Sequence, residues 1–131
     1  MSVSLAISKT EGRVVVLHLA GRLDVLTQQQ LLDTARSEQA SGTRFLLLDL
    51  RGLDMITSAG LAALHNIYKM FTPQEEVDTW EKEKHGELYK SLYFKLAGAS
   101  ANVYYVLNIS GFLHNIPIYP GMEEALASFA Q

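Results

Sequence analysis

The chain contains no cysteine among its 131 residues, which excludes disulfides and thiolate metal sites and is compatible with a reducing compartment. It has no basic excess either: 11 lysines and arginines stand against 14 acidic residues, a net charge of −3. The electrostatic footprint of nucleic-acid binding is therefore missing. No apolar run approaches the ~20 residues that a membrane span requires. The opening MSVSLAISKTEGR has no charged region followed by a long apolar one, so neither a signal peptide nor membrane insertion is expected, and a cytoplasmic location is. Neither glycine-rich phosphate loop pattern occurs. The four histidines, His18, His65, His85 and His114, lack metal-ligand spacing, so no metal or other cofactor is expected.

What remains suits one α/β domain over residues 1–131. Leu5 and Ile7 alternate with polar neighbours as in a short edge strand. After the Glu11-Gly12 turn, RVVVLHLAG reads as its hairpin partner in an interior position, ended by Gly21. Thr27 and Gln30 fit a capping box for a helix carrying Leu31, Leu32 and Ala35, closed at Ser41-Gly42. Phe45 to Leu48 form an uninterrupted apolar run, the mark of a central strand covered on both faces. A second helix begins at Ser58, with Leu61, Leu64, Tyr68 and Phe71 on one stripe, and Pro73 stops it.

Residues 73–90 then form a charged insertion in which six acidic side chains face three lysines, enough to account for the net −3. Thr72-Pro73-Gln74-Glu75 supports a short exposed helix there, and a charged loop is the alternative. A strand over LYFKLAG, a helix capped by Ser100, a short edge strand around Pro117 and a closing helix from Met122 to Phe129 complete the order β-β-α-β-α-β-α-β-α. This implies a small mixed β-sheet with packed helices.

The stretch DMITSAGLAAL, residues 54–64, places two hydroxyls where a strand hands over to a helix. Ser58 there can cap the helix, accepting from amides two or three residues on. Most such serines are only caps, but the same free amides and positive helix end favour an anion, so Ser58 is also a candidate phosphate acceptor. A hydrolase nucleophile elbow fails because position 56 is Ile rather than glycine, and no motif ties a histidine to Ser58. Asp24, Asp49 and Asp54 stand at strand ends, where aspartate commonly serves turns.

Gly21-Arg22-Leu23-Asp24, Leu48-Asp49-Leu50, Ser58-Ala59-Gly60-Leu61, Ile109-Ser110-Gly111-Phe112 and Glu123-Glu124-Ala125-Leu126 occur in that order. Together they resemble the STAS domain family, of sulphate transporters and anti-sigma factor antagonists, from about Val3 to Phe129. The resemblance implies the STAS-like mixed sheet and, for stand-alone members, a non-enzymatic bacterial partner switch. The unphosphorylated antagonist binds an anti-sigma factor that is also a serine kinase. Phosphorylation at the start of the second helix ends the complex, and a phosphatase restores it. On this resemblance Ser58 is the acceptor, with Thr57 as the alternative, and Asp24, Thr57, Ser58, Ala59, Gly60 and Ala62 form the partner-binding face. The chain departs from the family pattern twice: Thr57 stands where an aspartate is usual, and Ala59 where a second hydroxyl is. A non-switching STAS subunit of a transporter or other assembly is the alternative function.

Overall fold

The computed structural model describes residues 4–84 and 86–130; Val3 and His85 lie outside them. Five strands form one sheet in the order β1-β2-β3-β4-β5: β1 (Leu5–Thr10), β2 (Val14–Leu23), β3 (Phe45–Ile56), β4 (Phe94–Ala97) and β5 (Ile118–Tyr119). Only β1 runs antiparallel to its neighbour; the β2-β3, β3-β4 and β4-β5 pairs are parallel. The helices are α1 (Gln28–Ala40), α2 (Ser58–Phe71), α3 (Gln74–Glu83), α4 (Ala101–Ile109) and α5 (Met122–Ala127). This is the mixed α/β order expected, with a helix inside the charged stretch. No helix among the described residues is long and apolar enough to cross a membrane.

The alternation of side chains along the strands makes two unequal faces. Val15, Leu17, Leu19, Leu46, Leu48 and Leu50 pack under α1, α2 and α4 through Leu31, Ala35, Leu64, Ile67, Val103 and Leu107. On the opposite face Val16, Leu47 and Ala97 form a smaller cluster with Ala125 and Phe129 from the C-terminal segment, flanked by Val14, Phe45, Tyr119 and Met122. Within α2 the buried side is Gly60, Ala63, Leu64, Ile67 and Phe71, while Leu61 and Tyr68 flank it half-buried. The stripe is thus turned toward its small residues, which lets the helix lie closer to the sheet.

Several boundaries differ from the sequence reading. Gly21 does not end β2. It has a φ of +116°, and a Cβ there would sit 2.3 Å from the Ser4 carbonyl oxygen, so it allows the edge strand to approach while pairing continues to Leu23. β3 runs on through Arg51 and Asp54 to Ile56. The charged stretch forms α3, but Pro73 is its N-cap rather than its first helical residue. The Thr72 hydroxyl instead faces Ser91 Oγ at 3.4 Å. No residue of α3 is buried; it is tethered by Trp80 Nε1 donating to the Glu87 carbonyl at 3.0 Å and by the Tyr93 hydroxyl donating to Glu76. Ser100 caps α4 as expected, accepting from the Val103 amide. The closing helix stops at Ala127, two residues short of the expected Phe129, although Phe129 itself is buried.

Candidate functional site

The parallel strands β2 and β3 finish side by side, with Leu23 opposite Ile56. The Thr57 amide continues the ladder by donating to the Leu23 carbonyl at 3.1 Å. At Thr57 the backbone is still extended (φ −108°, ψ −179°). One residue later α2 starts, and the Leu61 amide donates back to the Thr57 carbonyl at 2.9 Å. Gly60 is buried directly above this junction: a Cβ there would lie 2.6 Å from the Leu23 carbonyl oxygen and 2.8 Å from Ile56 Cγ1. Its small size serves the seating of the helix on the strand ends.

Ser58 is the first helical residue and is exposed. It does not cap the helix, contrary to the expectation. The N-cap position belongs to Thr57, and no side-chain hydrogen bond is made there. Cap geometry requires the hydroxyl on the last extended residue, and Ser58 is already inside the first turn. The Thr57 Oγ1 is buried without a hydrogen-bond partner. Among the described residues the Ser58 hydroxyl is engaged by no hydrogen bond or ion pair, so it projects free into solvent.

Asp24 follows Leu23 and is placed at the same strand ends. Its carboxylate is buried and locks a turn: Oδ1 accepts from the Leu26 amide at 3.0 Å and the Thr27 amide at 3.2 Å. Thr27 Oγ1 accepts from the Asp24 amide and donates to the Arg22 carbonyl at 2.7 Å. The expected Thr27–Gln30 capping box is therefore absent. Asp24 competes for the threonine, and the Gln30 side chain donates to the Leu5 carbonyl instead. Locking the turn from inside turns its two apolar residues outward, leaving Val25 68% and Leu26 74% exposed. Sequence reading missed these two; an adjacent apolar pair in a short loop after Asp24 was the available signal.

The structure thus gathers Asp24, Thr57, Ser58, Ala59 and Gly60 at one end of the sheet. Ser58 and Ala62, one helical turn apart, are both exposed. Arg22, the penultimate residue of β2, lies at the same end. Its Nη2 donates to Met55 Sδ at 3.1 Å, and its Nε lies 3.8 Å from Asp24 Oδ2.

A second polar cluster lies on the less covered face of the sheet and was not legible beforehand. Asp49 Oδ2 receives His18 Nδ1 at 2.7 Å, and Arg51 grips both carboxylate oxygens at 2.9 and 2.8 Å. Burial would raise the Asp49 pKa, but the hydrogen bonds from Arg51 and His18 outweigh it and hold the carboxyl at about 2. This is a structural brace between strands. No cluster of His, Asp or Glu among the described residues has the form of a metal site.

Residues 6–77 match the family model described as STAS domain. No curated protein matches the chain significantly. Among solved structures, an anti-sigma factor antagonist from Mycobacterium paratuberculosis is similar over 100% of this chain and 98% of its own, with TM-score 0.80 at 17% identity. The Bacillus cell fate determinant SpoIIAA in its phosphorylated form is similar over 94% and 96%, with TM-score 0.60 at 18% identity. A sulfate transporter family protein from Wolinella succinogenes is similar over 92% and 88%, with TM-score 0.63 at 18% identity. At these identities the likeness is one of fold.

Proposed function

This chain belongs to the STAS domain family, and from that premise we propose that it is an anti-sigma factor antagonist switched by phosphorylation at Ser58. The observation that carries the reading is the free, exposed Ser58 hydroxyl at the head of α2, on the same strand ends as the apolar tip Val25-Leu26. In the unphosphorylated state this tip, Ser58, Ala59 and Ala62 form the docking face, shaped from beneath by Asp24, Thr57 and Gly60. The partner is a cytoplasmic anti-sigma factor that is also a serine kinase. It transfers the γ-phosphoryl group of ATP to Ser58 Oγ, the hydroxyl proton leaves to solvent, and ADP departs. A charge of about −1.5 to −2 then stands in what was an apolar contact, and desolvating it opposes rebinding. A phosphatase resets the switch by hydrolysis. Thr57, the alternative acceptor, has the weaker claim because its hydroxyl is buried. The domain contributes a surface and an acceptor, not a catalytic group.

A second reading, a non-switching STAS subunit of a transporter or regulatory assembly, is favoured by Thr57 in place of the usual aspartate and by the likeness to a sulfate transporter family protein. Incubation with an anti-sigma factor kinase of the proposed kind and ATP, followed by phosphosite mapping, separates the two. The switch predicts phosphate on Ser58. No phosphate on Ser58 or Thr57, together with a Ser58→Asp variant that binds its partner as well as wild type, supports the second reading.

A further inference from the structure

The net charge of the molecule is concentrated in one place. Residues 73–90 carry six acids against three lysines, so the rest of the chain is neutral and the negative field is centred on this segment. Within it lies α3, a ten-residue helix with no buried residue. A helix of that length is marginal in water on its own. It is held to the fold by the Tyr93 hydroxyl donating to Glu76 and by Trp80 Nε1 donating to the Glu87 carbonyl. Glu75 suits the start of the helix, where the macrodipole favours acids. Glu81 and Glu83 do not. They stand in the last turn, where only Lys82 meets the preference for cations. The helix therefore carries two acids against its own stability.

Between α3 and the chain that follows it lies a cleft of about 360 Å³, large enough for a side chain and part of its backbone. Trp80 and Tyr89 line it and meet edge-to-face, their centroids 6.0 Å apart at an interplanar angle of 82°. Tyr89 is buried and Trp80 half-buried. Leu92 adds an apolar edge that is 52% exposed, and Leu88 nearby in the chain is 58% exposed. Three carboxylates complete the lining. Glu76 is committed to the hydroxyls of Tyr93 and Tyr89. Glu75 and Glu83 are exposed and, among the described residues, make no hydrogen bond or ion pair. They stand about 12 Å apart along the helix axis, with Trp80 between them. Aromatic faces flanked by free carboxylates attract a cation, through the ring quadrupole and through charge pairing. The chain shows this attraction already. Lys84 Nζ stands 6.0 Å from the Trp80 ring centroid, at the outer limit of such a contact, and Lys84 is exposed and displaceable.

We propose that this cleft is a docking site for a basic segment of a protein partner, with an arginine of that segment laid against Trp80. A guanidinium is planar, stacks on an aromatic face and forks to a carboxylate, here Glu75 or Glu83, while its alkyl stem covers Leu92. The exposed leucines give a peptide apolar surface to bury that a small free cation does not use. The negative field centred on the segment speeds encounter with a basic surface. The cleft lies past the C-terminal end of α2, a helix of 14 residues and about 20 Å long. It is therefore remote from Ser58, at the other end of that helix, and stands whether or not the phosphorylation reading holds.

Trp80 is the only tryptophan of the chain, so its fluorescence reports on the cleft directly. The probe is a blocked hexapeptide with arginine at both ends and leucine between. Titrating it into the full chain should change Trp80 emission saturably, with an affinity that weakens as salt rises. The same peptide with lysine in place of arginine should bind more weakly. The double variant Glu75→Gln, Glu83→Gln should raise Kd about fivefold or more. Glu123→Gln with Glu124→Gln removes the same charge from α5 and should change Kd less than about twofold. All four side chains are exposed, so these variants keep the fold. The proposal is overturned by no saturable change, or by an equal loss in the α5 variant. An equal response to the glutamate version of the peptide or to tetramethylammonium chloride also overturns it. So does a change in emission on raising the concentration of the chain alone, which would make a second copy the occupant.

Discussion

Replacing Gly60 by alanine sets two effects of opposite sign against each other. Helix propensity alone favours alanine over glycine by up to about 1 kcal/mol. The structure opposes it, because the new methyl would lie 2.6 Å from the Leu23 carbonyl oxygen, 2.8 Å from Ile56 Cγ1 and 3.0 Å from Leu23 Cγ. The first contact is with backbone in the sheet and cannot be relieved by a rotamer change. Overpacking of this kind costs about 1–3 kcal/mol, so the expected net destabilisation is about 1–2 kcal/mol. For a chain of this length each kcal/mol moves Tm by about 3–4 °C. Thermal unfolding followed by circular dichroism should therefore show a Tm lower by about 3–8 °C. An unchanged or raised Tm would refute the close seating of α2 on the strand ends, and with it the reason Ser58 and the Asp24 turn share one surface.

The Asp49 brace predicts an acid limb of stability. Its folded pKa, about 2, lies below the ordinary aspartate value of 3.8, so its contribution is full above about pH 5 and is lost as pH falls toward 2. That contribution is about 2 kcal/mol at most, reduced by the solvent exposure of Arg51. Urea unfolding of wild type and Asp49→Asn should differ at pH 7 and converge near pH 2; a constant difference contradicts the brace. Leu26→Asp, at the exposed turn tip, should leave Tm within about 2 °C of wild type, as surface changes generally do. The same variant should weaken partner binding about tenfold or more by placing a charge in a desolvated contact. Unaltered affinity in a pull-down or calorimetric titration would remove the turn from the docking face.

The architecture was largely legible because the central strands are buried on both sides. Val14 to Leu17 and Phe45 to Leu48 form apolar runs that few other structures explain. The strand ends were not legible. Gly21, Arg22, Arg51 and Asp54 break the apolar pattern, yet the ladder continues through them, helped by a shift of register between Gly21 and Arg22. Local rules also failed where a nearer competitor intervened: Asp24 took Thr27, and Thr57 occupied the cap position that Ser58 was expected to fill. The joining of His18 to Asp49 depends on parallel register between strands 31 residues apart, which no spacing rule encodes. The exposure of Val25 and Leu26 follows from the inward turn of Asp24, a three-dimensional consequence of one side chain.

The most direct test of the central claim measures the affinity of the proposed anti-sigma factor partner for this chain with serine or with phosphoserine at position 58. Introducing an unpaired charge into a desolvated contact costs about 2–5 kcal/mol, so the phosphoserine form should bind about 30-fold to several thousand-fold more weakly. Equal affinity of the two forms would contradict a phosphorylation-controlled switch at Ser58.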